Sequence, residues 1–212
     1  MSIEVQLSKG LADLGLTLCS EAQSRLLQYL TLLSKWNRTY NLTAIRESSR
    51  LVSYHLLDSL AVLPHIEGST IIDVGSGAGL PGIPLAIARP EWNVVLIDSN
   101  YKKSAFLRQA VLELNLRGTQ IVTDRAEHWH ASYAFDVVIS RAFSDLPGFV
   151  GATRHLWRPG AVLAAMKGVY PYEELAQLGS DVRVRKVIAL DVPGLRANRH
   201  LVLLEPLPAL EA

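Results

Sequence analysis

Cysteine is almost missing from this chain: Cys19 is the one thiol in 212 residues. An internal disulfide is therefore excluded, and a reducing, cytoplasmic setting fits. Cys19 falls in a helical stretch, where a buried core thiol is expected. Net charge is nearly missing too. Lys and Arg number 21 against 20 Asp and Glu, a formal charge of +1. Such a chain has no strong non-specific pull on nucleic acid, so any RNA contact must come from local basic clusters. No apolar run approaches the roughly 18 residues that span a bilayer, so no membrane partner is expected. The first residues carry Glu4 and no apolar stretch with a cleavage site, so no signal peptide is expected. Repeats and low-complexity tracts are lacking as well.

What the chain does have is apolar content, 49% of residues. That is enough for a sizeable core in one α/β domain with a small appendage. The expected division is a helical extension over residues 1–66 and an α/β domain over 67–212, as a monomer. In the extension, Ser20 and Gln23 have the form of a capping box. Leu26, Leu27, Leu30 and Leu33 then recur at helical spacing. The stretch Asn37 to Thr43 breaks the pattern. A second helix is expected from about Ser48 to Leu63, stopped by Pro64.

From residue 70 the period changes. Thr70–Val74, Asn93–Ile97, Gln120–Val122, Phe135–Ile139 and Ala161–Met166 read as short buried strands, with helices such as Lys102–Leu116 between them. Strands alternating with helices imply parallel pairing in a doubly wound sheet. Arg183–Leu190 and His200–Leu204 follow with no helix between, which predicts an antiparallel pair at the sheet edge.

The densest motif is Asp73-Val74-Gly75-Ser76-Gly77-Ala78-Gly79-Leu80-Pro81-Gly82. Glycines after a strand let the chain turn tightly and let a ligand lie against bare backbone. Asp98 ends the next strand, about twenty residues on, where a carboxylate can accept both ribose hydroxyls of a nucleoside. Together they argue for an adenosine-type cofactor. The run Gly77 to Gly82 formally fits a dinucleotide such as NAD. Asp73 speaks against that, because its charge would repel a pyrophosphate. It suits instead the cationic end of S-adenosyl-L-methionine. Thr123–Glu127, after the third strand, offers a backbone amide and a short polar side chain to an adenine edge.

Methyl transfer is a displacement at carbon in which positioning does most of the work. Pyrimidine carbon-5 targets need a cysteine nucleophile, and Cys19 lies far from any strand-end loop. Exocyclic amines often use an Asn/Asp-Pro-Pro-aromatic loop after the fourth strand. Here Ser140-Arg141-Ala142-Phe143 stands in its place. Guanine N7 has a free lone pair and needs no general base, so a site with arginines and no evident base is compatible with it. Basic residues gather around Lys35, Arg38, Arg46 and Arg50, around Lys102, Lys103 and Arg108, and in the last hairpin. Each cluster alone is an ordinary solvated surface. Trp36 and Tyr40 could stack on bases, but core packing suits Trp36, and His55 reads as a structural histidine.

The segments Trp36–Thr43, His55-Leu56-Leu57-Asp58-Ser59, Asp73–Pro84, Phe135–Ala142 and Lys167-Gly168 resemble the RsmG (GidB) family of small-subunit rRNA guanine-N7 methyltransferases, over about residues 25–204. The resemblance implies a class I S-adenosylmethionine methyltransferase fold, Rossmann-like, with a mostly parallel seven-stranded sheet and an N-terminal helical extension. It implies N7 methylation of a guanine in the decoding region of 16S rRNA, within a small-subunit particle. Carried over by position, Gly75, Leu80, Ala126, Glu127 and Arg141 would contact the cofactor. Asp73, Gly77, Gly79 and Asp98 join them from the glycine-loop argument. Asn41, His55, Arg125, Lys167 and Arg199 would face the RNA. Arg141 keeps three readings: a cofactor contact, an RNA phosphate contact, or a buried ion pair with Asp73 or Asp145. A methyltransferase acting on another RNA or on a small molecule, an NAD oxidoreductase and a non-catalytic RNA-binding protein on the same fold stay open at this point.

Overall fold

Runs of Val, Ile and Leu that are apolar at every position belong in a sheet covered on both faces, and that is what they form. The computed structural model describes residues 2–141 and 143–207, so Ala142 of the Phe135–Ala142 motif lies outside them. Strands β1 (Thr70–Val74), β2 (Asn93–Ile97), β3 (Thr119–Val122), β4 (Phe135–Ser140), β5 (Trp157–Lys167), β6 (Val182–Ala189) and β7 (His200–Pro206) make one sheet in the order β3-β2-β1-β4-β5-β7-β6. The five first strands pair in parallel, and β7 runs antiparallel between β5 and β6. The strand order reverses between β1 and β4, and ligands of open α/β sheets bind beyond the carboxyl ends at such a switch point.

Successive strand residues point to opposite faces. Ile71, Leu96, Val137 and Ile139 join one core, and Ile72, Val74, Ile97 and Val138 the other. Helices α5 (Gly82–Ala88), α6 (Tyr101–Glu113), α7 (Leu146–Thr153) and α8 (Tyr172–Ala176) connect the strands. Asn100 caps α6 by accepting from the backbone of Lys102 and Lys103, and Asp145 caps α7 by accepting from Gly148 N. Among the described residues no helix is long and apolar enough to cross a membrane.

Ahead of the sheet come α1 (Ile3–Asp13), α2 (Ser20–Tyr40), α3 (Ser48–Leu51), a π-helical segment (Val52–Leu57) and α4 (Asp58–Leu60). Their apolar residues, including Leu26, Leu30, Leu33 and Leu56, share one continuous core with a face of the sheet. Burial of such a side chain stabilises by about 1.5–3 kcal/mol, so extension and sheet are held as one body. Two sequence expectations fail at the start of α2. Cys19 is exposed and is the residue before the helix, not a core thiol. Ser20 is already helical, and Gln23 Nε2 donates to the Leu18 carbonyl at 2.9 Å in place of the expected reciprocal cap. The second helix is also not one α-helix. The residues from Val52 to Leu57 take the wider π form, a local feature often tied to function.

Candidate active site

Parallel register sets the glycine loop and its partners on one edge. Val74 pairs with Ile97, and Ile97 with Val122, so the turns after β1, β2 and β3 open side by side. The amides of Gly75 and Ser76 both donate to the Ile97 carbonyl, at 2.9 and 3.1 Å. Gly75 and Gly77 have φ of +68° and +58°, and a Cβ on either would project into nearly empty space. This is the bare cradle a ligand needs. Gly79 shares the left-handed backbone, φ +87°, but its surroundings differ: a Cβ there would lie 2.6 Å from Ile83 Cδ1 and 2.9 Å from Leu107 Cδ2, so it faces packed side chains rather than open space.

Asp73 and Asp98 flank this cradle. Asp73 is fully buried; its Oδ2 accepts from Gly82 N at 2.8 Å and its Oδ1 has no partner among the described residues. Burial pushes its carboxyl up to about 7, against the pull of the Gly82 amide and of Arg141. Asp98 is 7% exposed and accepts from Gly77 N at 2.9 Å and from Asn100 N at 2.8 Å. Each of its oxygens keeps a lone pair for a ribose hydroxyl. The orphaned Asp73 oxygen, the empty space over two glycines and the spare Asp98 lone pairs fit S-adenosyl-L-methionine. Asp73 would meet its cationic end, Asp98 its ribose.

The other half of the edge is cationic, and register again explains why. Ser140 pairs with Ala165, and Lys167 with His200. Arg141, Lys167 and Arg199 therefore emerge together at the ends of three adjacent strands. They line a cavity of about 390 Å³ with Thr43, Ile45, Tyr54, His55, Asp58, Met166 and Gly168. Asp58 is the anchor. It is 1% exposed, and it takes Arg199 Nε on Oδ1 at 2.9 Å and Arg141 Nη1 on Oδ2 at 3.4 Å. Burial pushes its carboxyl up, while the Arg199 and Arg141 guanidiniums pull the other way. Donors on both oxygens need an acceptor at each, so the carboxylate form fits the geometry. Lys167 Nζ sits 2.7 Å from Glu174 Oε2.

The helical extension builds the cavity's remaining wall. Asn41 ends α2 in the left-handed conformation, φ 50°. The buried Asn37 accepts from Thr43 N at 2.9 Å and so fixes the turn that follows. Thr43 Oγ1 accepts from Ile45 N at 3.2 Å and lies 3.1 Å from His55 Nε2. Burial, helped by the Arg141 charge, lowers His55 to about 4, so the ring is neutral. Further along α2, the buried Tyr29 donates its hydroxyl to the Ala78 carbonyl at 2.7 Å, pinning the glycine loop to the extension.

Of the residues expected on the RNA side, His55, Lys167 and Arg199 share the cavity. Asn41 is exposed and accepts from Arg46 Nη2 at 2.6 Å, and Arg125 is exposed beyond β3; neither lines the cavity. Among residues expected to touch the cofactor, Leu80 and Ala126 are buried, whereas Glu127 is exposed. The ion-pair partner of Arg141 is Asp58, not Asp73 or Asp145, because the π segment brings Asp58 under β4 while Asp145 is spent as a helix cap. Arg141 also donates to the Tyr54 carbonyl at 3.3 Å, and its charge reaches both His55 and Asp73. Asp58 and Tyr29 were not singled out from sequence. The available signal for Asp58 was its place in the His55-Leu56-Leu57-Asp58-Ser59 motif.

Comparison with known proteins agrees with this geometry. The family model for rRNA small subunit methyltransferase G matches residues 22–202. A ribosomal RNA small subunit methyltransferase G from Laribacter hongkongensis is 56% identical over 95% of this chain and 98% of its own length. Those from Nitrosospira multiformis and Chromobacterium violaceum are 55% and 58% identical, over 97% and 93% of this chain and 98% and 95% of theirs. Among solved structures, TrmN from Thermus thermophilus covers 81% of this chain and 53% of its own, with TM-score 0.57 and 18% identity. A SAM-dependent methyltransferase from Aquifex aeolicus covers 75% and 94%, with TM-score 0.53 and 20% identity. The sheet order and these likenesses give the class I methyltransferase fold, and the family match makes the chain an S-adenosylmethionine-dependent methyltransferase. Within that class, the chain belongs to the rRNA small subunit methyltransferase G family.

Proposed function

We propose that this protein transfers a methyl group from S-adenosyl-L-methionine to N7 of a guanine in 16S rRNA, acting on the small ribosomal subunit or a precursor of it. The bound cofactor supplies an electrophilic methyl carbon. The observation that carries the reading is the cavity beside the glycine loop. It presents three cations, and its one lining carboxylate, Asp58, is tied to two of them. His55 is neutral, and its Nε2 is engaged with Thr43. With both Asp58 oxygens bonded to guanidiniums and with burial holding His55 near 4, neither Asp58 nor His55 is a strong base, and guanine N7 attack releases no proton. Arg141, Lys167 and Arg199 suit the phosphates on either side of a base held in line with the methyl carbon. Asp58 acts as a positioning residue, holding two of those cations in place.

The test is transfer of labelled methyl to small subunits from cells lacking this activity, to naked 16S rRNA and to bulk tRNA, followed by nucleoside analysis. Label in 7-methylguanosine from 16S rRNA is the expected result. Label in tRNA alone, or in another nucleoside, would overturn the assignment.

A further inference from the structure

Immediately beyond the cavity residues Lys167 and Gly168, the chain exposes Val169, Tyr170 and Tyr172. Val169 is 70% exposed and Tyr172 75%. The tyrosines are held rather than loose. Pro171 is buried with φ −90° and ψ 62°, and Tyr172 N donates to the Tyr170 carbonyl at 3.1 Å. This is an inverse γ-turn. It places the two rings 4.3 Å apart at their centroids, tilted by 38°. Tyr170 also meets the His200 ring at 5.6 Å, nearly edge-on at 82°. The outer ring, Tyr172, thus rests on a braced inner one.

The ledge is rigidly joined to the cavity. His200 pairs with Lys167 across β5 and β7, and Glu174 of α8 holds the Lys167 ammonium. Stacked tyrosines left in water give up apolar burial, and such patches mark contact sites. Lys167 and Arg199 stand by the ledge, one held by Glu174 and the other by Asp58, so the exposed ring faces rather than free charge set the partner; given an RNA in the cavity, that partner is an unpaired base of a single strand.

We propose that Tyr172, braced by Tyr170, is a stacking platform for an unpaired base that neighbours the base held in the cavity. The inference rests on the rRNA reading above. Base–aromatic stacking is sequence-tolerant and is lost when the ring is lost.

The experiment compares the unaltered protein with Tyr172→Ala, Tyr172→Leu and Tyr172→Phe. Affinity for 16S rRNA fragments and for small subunits is read by filter binding, separately from transfer, and 4-thiouridine in the RNA supplies a photocrosslink. The expected result is a roughly tenfold weaker affinity for Ala and for Leu, near-normal affinity for Phe, and a crosslink within residues 169–173. Cofactor affinity by calorimetry confirms an intact fold. Equal affinity of Tyr172→Ala overturns the platform. Weaker binding that Leu restores, with no crosslink, shows an apolar contact to a protein of the particle and also overturns it. If the unaltered protein binds RNA in this way yet transfers no methyl to it, the functional reading fails and the platform stands.

Discussion

Arg199 donates its Nε–H to Asp58 Oδ1 across 2.9 Å, although 141 residues separate them in sequence. With Arg141 on the other oxygen, one buried carboxylate ties the helical extension, the loop after β4 and the final hairpin together at the cavity. Asp58→Asn keeps the shape but turns an N–H donor toward one of the arginines. Breaking such a buried pair costs about 3–5 kcal/mol. The expected outcome is a clearly lowered Tm and a transfer rate down by roughly a hundredfold, with cofactor affinity within a few-fold. Normal transfer in this variant would show that the two arginines need no anchor.

The hydrogen bond from Tyr29 to the Ala78 carbonyl predicts that the extension sets cofactor affinity. Tyr29→Phe leaves a buried carbonyl unpaired, at a cost of about 1–3 kcal/mol. Urea unfolding should show that loss, and calorimetry should show weaker S-adenosyl-L-methionine binding. Lost stability with unchanged affinity would confine Tyr29 to packing.

Asp73 gives the cofactor site a pH dependence. Its carboxyl is pushed up to about 7 by burial, and a cationic ligand binds the ionised form better. Cofactor affinity should therefore rise with pH through about 7 and then level off. Asp73→Asn keeps an acceptor for Gly82 N, yet should weaken binding at least tenfold and abolish the rise. Calorimetry from pH 6 to 8.5 checks both.

His55 gives the fold an acid limb. Its folded value lies near 4 against an ordinary 6.5, so between these the unfolded chain binds a proton that the folded one refuses. Stability from this group is complete above 6.5 and is lost as pH falls toward 4, by about 3 kcal/mol in all. Asp73, raised rather than lowered, acts in the opposite sense between 7 and 4. Comparison with His55→Gln, where Asp73 is unchanged, isolates the histidine: the variant should lose less stability between pH 6.5 and 4.5 in urea titrations.

Much of this was legible in the sequence. The central strands are buried on both faces, so Thr70–Val74 and Phe135–Ile139 stand out as apolar runs, and Asp73 stands out as the charge within one. The antiparallel edge followed from two strands with no helix between them. The partner of Arg141 was not legible, since Asp73 and Asp145 lie nearer along the chain and only the fold brings Asp58, 83 residues away, beneath it. The same holds for Tyr29, whose ring reads as one more core residue and whose hydroxyl finds a carbonyl 49 residues on. Gly75 and Gly79 look alike in sequence; their different neighbours separate a ligand cradle from a packing contact. The start of α2 was misread because Ser20 and Gln23 carry the right chemistry one residue out of place.

The most direct test is to map methylation in cells. 16S rRNA from a strain lacking this gene, and from the same strain carrying it, is treated with borohydride and aniline, which cleave the chain at 7-methylguanosine, and the breaks are read by primer extension. The account predicts one decoding-region break that is absent without the gene, restored with it and lost again with Asp58→Asn. Identical cleavage with and without the gene would contradict it.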